Sequence, residues 1–290
     1  MGFFDRLSAG WTAGKSCLEV LRNDRKLIVF PLLSGLSAII VLASFALPLA
    51  IIRPAFLKVM LDDHRVNVQQ TPIWFWIVLF LFYFANYFVI YFFNAALVHC
   101  ALFHFRKEPV TASDGLAAAW RRLPELLAWA FVSATVGLVL KLIENANEKV
   151  GAFVSAILGG AWTVVTYFVV PVLVVERVGP MQAVKRSWQI LCKTWGESIG
   201  AHAGVGWALL PFWLLGVLLI VLAVFAMAAS PVLGVLLIAL GIVYFLGLGL
   251  VDATLKGIMM GALYLYSTHG EVPEEFERES LNQSFVPKKA

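Results

Sequence analysis

Residues 73–101 read IWFWIVLFLFYFANYFVIYFFNAALVHCA, 29 residues without one Asp, Glu, Lys or Arg. At about 1.5 Å per residue, a helix of that length outruns the roughly 30 Å hydrocarbon core of a bilayer. A barrel strand would alternate polar and apolar residues, and this stretch does not. The surrounding chain has the same character: 290 residues, 61% hydrophobic, 14% charged, mean hydropathy +0.85. Soluble domains are about 45–50% apolar and about 25% charged. The composition therefore excludes a water-soluble globular enzyme, a disordered chain and a free nucleic-acid binder. Working outward, six stretches are long and apolar enough to span: about 27–52, 73–101, 123–143, 151–175, 198–227 and 231–251. The first is longer than the roughly 7–15 residues of a signal core, so no cleavable signal is expected.

The 22 Lys and Arg residues are shared unequally between the two sides of such a chain. Seventeen lie in the N-terminal segment, the second–third and fourth–fifth connections and the C-terminal side; Arg53, Lys58, Arg65, Lys141 and Lys149 lie opposite. Positive charge concentrates on the cytoplasmic side of membrane proteins. Both termini are therefore expected in the cytoplasm, and Cys17, Cys100 and Cys192 fall towards that reducing side without a disulfide pattern.

A short amphipathic stretch precedes each odd-numbered span. In 180–195, Met181, Val184, Trp188, Leu191 and Trp195 recur at helical spacing, beside Lys185, Arg186 and Lys193 on the other face. Pro180 suits the first helical turn, where its missing N–H costs nothing. Phe4, Leu7, Trp11, Leu18 and Leu21 repeat the rhythm, and Leu116, Trp120 and Leu123 do so with Arg121 and Arg122. The expected fold class is an all-α integral membrane protein. It has six transmembrane helices in three hairpin units, each preceded by an amphipathic interfacial helix. Residues 1–26 form the N-terminal helix, 27–266 the six-helix domain, and 267–290 an acidic cytoplasmic tail expected to be disordered.

The run VVPVLVVERVGPMQAVKRSWQILCKTW, Val169 to Trp195, resembles a segment of the membrane domains attached to bacterial glycerophosphodiester phosphodiesterases. GFFDRLSAGW at the start and FPLLSG at Phe30–Gly35 resemble an uncharacterised bacterial family of six-span proteins. The resemblance implies architecture more than activity, and the expected location is the cytoplasmic (inner) membrane of a bacterium. It implies no phosphodiesterase activity, because that chemistry belongs to a soluble barrel for which this chain has no segment.

Ionisable residues in a span are functional candidates by default. Asp252 and Lys256 are spaced i,i+4 at the end of the sixth span, as an ion pair or a gate. Tyr83, Tyr87 and Tyr91 form a stripe suited to interhelical hydrogen bonding. Cys100 and His104 are two convergent ligands without the complement a zinc site needs. Gly200 and Gly204 around His202, and Gly257 and Gly261, have the spacing of close helix packing. No catalytic, cofactor-binding or metal constellation emerges. The expectation is a non-enzymatic membrane scaffold or lipid-interacting module, with a transporter or channel subunit as the alternative. Lys185, Arg186, Lys193, Arg121 and Arg122 are the candidates for facing anionic lipid; Trp11, Trp120, Trp188 and Trp195 are candidate interfacial anchors. Membrane lipids are the expected partners, a second copy or another membrane protein is left open, and nucleic acid is not expected.

Overall fold

The computed structural model describes residues 3–52, 72–146, 150–193, 195–271 and 273–276. The helices are α1 (Phe3–Asn23), a 3-10 turn (Arg25–Ile28), α2 (Val29–Ile52), α3 (Ile73–Phe105), α4 (Ala112–Trp120) and α5 (Leu123–Ala146). They continue as α6 (Gly151–Val165), α7 (Val169–Val175), α8 (Pro180–Lys193), α9 (Trp195–Ala229) and α10 (Pro231–His269). No strand occurs among the described residues. Six segments are long and apolar enough to cross a membrane: Arg25–Ile52, Ile73–Phe105, Leu123–Asn145, Gly151–Val175, Leu209–Ala228 and Pro231–His269.

The chain divides into two compact units. One gathers the N-terminal part up to Leu32, Leu97–Ala112 and the chain from Cys192 onward. In it α1 packs on α9 and α10, and α9 packs on α10. Ala13, Cys17, Val20 and Leu21 are the buried face of α1, at helical spacing, while Trp11 and Leu18 stay exposed. Part of the apolar stripe of α1 therefore meets protein: Leu21 is buried. The last turns of α10 are buried as well, with Leu255, Ile258, Met259, Ala262 and Leu263 almost inaccessible. A Cβ on Gly261 would lie 3.5 Å from the Ala101 side chain, so α10 and the end of α3 run close together there.

Here the structure departs from the sequence reading. The sixth helix continues past 251 to His269, because the protein itself covers the residues after Lys256 and the backbone ladder has no reason to stop. It ends at Gly270, whose φ of 69° closes the helix in the left-handed conformation that glycine adopts freely. Residues 273–276 form an ordered turn in which Phe276 is 1% exposed, so the start of the expected tail is packed; 277–290 lie outside the described residues.

The other unit gathers Leu33–Ala96 and Ser113–Leu191. Phe45 of α2 meets Phe82 of α3 edge-on at 5.6 Å, and α5 packs on α6 with Trp129 stacked on Trp162 at 5.6 Å. The fourth span is interrupted at 166–168, between α6 and α7. Pro171 is the cause: it has no N–H to donate to the carbonyl of Tyr167, and its ring crowds that carbonyl. The gap is closed from α8. The Ser187 hydroxyl accepts from the Phe168 N–H at 3.0 Å and donates to the Val165 carbonyl at 2.7 Å.

Large apolar side chains stand exposed along α2, α3, α6, α9 and the first turns of α10, Ile39 at 62% among them. In water such a surface would drive association. On six spans it is the face that lipid wets.

The three cysteines differ in exposure, and this predicts their reactivity. Burial pushes the Cys17 thiol up, and the Cys100 thiol is buried and donates to the Thr111 carbonyl at 3.6 Å. Cys192 is exposed. A maleimide is expected to label Cys192 within minutes and the other two only after unfolding, as read by intact-protein mass spectrometry. Equal labelling of all three would contradict the packing of α1.

Candidate functional site

Three segments from separate parts of the sequence build a cavity in the second unit. Its volume is about 660 Å³, and Leu33, Phe92, Phe93, Leu116, Ala117, Trp120 and Arg121 line it. Leu33 comes from α2, the two phenylalanines from α3, and the rest from α4 and the turn after it. Local sequence explains this arrangement. Ala118 and Ala119 bury the small face of α4, which lets it lie close and leaves Leu116 and Trp120 on the other side. Phe92 meets Phe93 edge-on at 5.3 Å and Trp120 edge-on at 6.4 Å, so three rings form the wall. Trp120 is nevertheless 66% exposed.

Helix α4 stops at Trp120, and the Arg121 N–H still reaches the Ala117 carbonyl at 3.0 Å. Arg121 therefore stands at the rim, exposed, with no acidic partner among the described residues. Its neighbour differs. Arg122 lies 3.6 Å from Glu125 with its side chain mostly covered, at the start of α5, where an acidic residue also favours the helix terminus. An apolar cavity with a guanidinium at its mouth has the chemistry to take an acyl chain and the phosphate attached to it.

The other sequence-predicted residues are distributed as follows. On α8, Ala183, Ser187, Ile190 and Leu191 are buried, whereas Lys185 and Lys193 are exposed. Met181 and Trp188 are exposed too. Arg186 is met by Glu176, its Nε lying 3.0 and 3.2 Å from the two carboxylate oxygens, so its charge is already answered. Trp11 is exposed with Lys15 5.5 Å over its ring. Trp195 begins α9, and its side chain lies outside the described residues, as does that of His202.

Asp252 and Lys256 form an ion pair at 2.7 Å, 21 and 25 residues into α10. At about 1.5 Å per residue that is roughly 32–38 Å along the helix, beyond a hydrocarbon core. Tyr91 donates to Ser133 Oγ at 2.9 Å, and a Cβ on Gly137 would come within 3.3 Å of the Tyr87 hydroxyl. The tyrosine stripe is thus covered by α5. Cys100 and His104 do not converge: His104 faces Asp24 and Glu275. No group of three metal-ligating side chains occurs among the described residues.

Neither the curated proteins nor the solved structures give a match. The resemblance of residues 169–195 to a phosphodiesterase-linked membrane domain is accordingly not carried by any comparison. One family model matches residues 73–273, from the start of α3 through the turn after α10, and takes in every residue that lines the cavity except Leu33. Six apolar helices and that match make this a multi-pass membrane protein, and the chain belongs to the DUF6159 family, a family of unknown function.

Proposed function

We propose that the protein is a non-enzymatic, lipid-interacting module of a bacterial inner membrane, with both termini in the cytoplasm. Its six spans act as three hairpins, and α1, α4 and α8 serve as interfacial helices that gather anionic phospholipid. The observation that supports this best is the cavity beneath Arg121. It pairs an apolar volume of about 660 Å³ with an exposed guanidinium and an exposed tryptophan. Tryptophan belongs at the headgroup level, and arginine grips a phosphate with two parallel N–H donors. The 17 basic residues on one side, of which Lys185 and Lys193 are exposed, extend the same attraction.

Each cation near an anionic surface contributes about 1 kcal/mol, or about fivefold in binding. Arg121→Gln is therefore expected to lower the enrichment of phosphatidylglycerol around the purified protein about fivefold, measured by native-nanodisc lipid mass spectrometry. Arg186→Gln is expected to leave it unchanged, because Glu176 already holds that charge. Enrichment that ignores Arg121 and follows Arg186 would overturn the reading.

A transporter reading draws on one feature, the interrupted fourth span, since broken helices mark substrate sites in transporters. Against it, Phe168 through Val174 are all buried and Ser187 takes up the free backbone groups. A solute flux in liposomes abolished by Asp252→Asn would favour the transporter.

A further inference from the structure

Helix α2 carries Pro48 inside an otherwise unbroken run from Val29 to Ile52. Proline has no N–H, so the carbonyl of Ser44, four residues earlier, loses its helical donor, and the ring presses against it. Water meets such a carbonyl at little cost, whereas hydrocarbon leaves it bare. Ser44 stands about 12 Å along the helix from Ile52, which places it within the span. At the break caused by Pro171, a side chain from another helix closes the ladder. Among the described residues no side chain from another helix does so at Ser44. Its own hydroxyl cannot, because it donates to the Val41 carbonyl at 2.7 Å. Ser44 is exposed and offers acceptors, with its hydroxyl proton already spent.

Ser44 lines a cavity of about 440 Å³ in the second unit. Phe45, Pro48, Leu49 and Ile52 of α2 and Trp74 and Val78 of α3 supply the rest of its wall. Phe45 is held in place edge-on against Phe82 at 5.6 Å. Apart from Ser44 and the indole N–H of Trp74, these side chains are hydrocarbon, and none is ionisable. An occupant must be apolar over most of its surface, uncharged, and able to donate one hydrogen bond. A phosphate fails on each count: it is an anion rich in acceptors, set against further acceptors with no cation in the wall. An alcohol meets all three.

We propose that the cavity between α2 and α3 binds an uncharged lipid carrying a free hydroxyl, which donates to the Ser44 carbonyl while the chain lies along Phe45, Leu49 and Val78. A simple long-chain alcohol and a diacylglycerol share that chemistry. The site is separate from the cavity at Arg121 and does not depend on the anionic-lipid reading, since its recognition group is an acceptor and not a cation.

The test uses the full chain in nanodiscs of phosphatidylcholine, which has no hydroxyl. The probes are hexadecanol with a diazirine in its chain and the methyl ether of the same molecule, with adducts on the peptides carrying Ser44–Ile52 and Trp74–Val78 counted by mass spectrometry. The two probes differ by one donor, and one hydrogen bond corresponds to about fivefold in binding, so the alcohol is expected to label about fivefold more. Pro48→Ala returns an N–H to the Ser44 carbonyl and favours the helix, so it should bring the alcohol down to the level of the ether. Leu49→Trp fills the cavity and should lower labelling by both probes. Arg121→Gln should change neither. Unlabelled diacylglycerol competing as well as unlabelled hexadecanol would support the site with a glycerolipid as its source; competition by hexadecanol alone would support it with a simple alcohol. Equal labelling by alcohol and ether, or a preference that survives Pro48→Ala undiminished, would overturn the proposal.

Discussion

Ser187→Ala is expected to lower the melting temperature in detergent micelles by about 5–10 °C. The serine is fully buried, and its one hydroxyl serves two backbone groups that the interrupted fourth span cannot pair itself. Removing it leaves the Phe168 N–H and the Val165 carbonyl without their partner, at about 1–3 kcal/mol for a buried orphan. For a chain of this size each kcal/mol corresponds to about 2–4 °C. The cavity left by one hydroxyl is small and adds little. Val165→Ala, which keeps both hydrogen bonds, serves as the comparison and should cost less. A melting temperature unmoved by Ser187→Ala would mean that the break between α6 and α7 is closed by something else.

The second large effect concerns the turn between α5 and α6. A Cβ on Gly151 would lie 2.5 Å from the Ile143 carbonyl oxygen and 2.6 Å from that of Glu144. These are backbone atoms, so the helices themselves must part. In an open helical position, glycine to alanine gains about 1 kcal/mol. Overpacking of this kind costs about 1–3 kcal/mol, which reverses the sign. Gly151→Ala is therefore expected to destabilise, and it also strains the Ser155–Leu140 hydrogen bond that ties α6 to α5 at 3.1 Å. Gly160→Ala on the same helix meets nothing within 4 Å and should stabilise or leave the protein unchanged. The two thermal melts side by side check the argument; equal shifts would refute it.

These two positions also show where the sequence stops being legible. The spans could be read because lipid imposes one local rule, about 20 apolar residues, and the run from Ile73 satisfies it without reference to anything else. Position 171 signals a disturbance by itself. That Ser187 repairs it is a tertiary fact, since the hydroxyl arrives from another helix 19 and 22 residues along the chain. The full length of the sixth helix is hidden from the sequence for a related reason. Asp252 and Lys256 resemble a membrane border, but the helix beyond them is covered by protein, and periodicity in LKGIMMGALYLY does not reveal which solvent covers it.

The candidate sites divide in the same way. Trp120 and Arg121 were singled out from an interfacial pattern on one short helix, and the structure places both at the cavity. Phe92 and Phe93 were hidden among the 22 phenylalanines of the chain, with no signal to distinguish them. Arg186 looked equivalent to Lys185 on a helical wheel. Only the positive φ of Arg177 and the turn it makes bring Glu176 back onto the guanidinium. His104 invited comparison with Cys100, its neighbour by one helical turn, whereas its partners lie 80 residues before it and 171 after.

The most direct test of the central claim is to photolabel the protein in nanodiscs with an anionic phospholipid carrying a diazirine on its acyl chain, and to map the adducts by peptide mass spectrometry. The account predicts adducts concentrated on the peptides that carry Phe92, Phe93 and Trp120, and their loss in Arg121→Gln. Adducts spread evenly over the exposed faces of α2 and α9, and indifferent to Arg121, would contradict it.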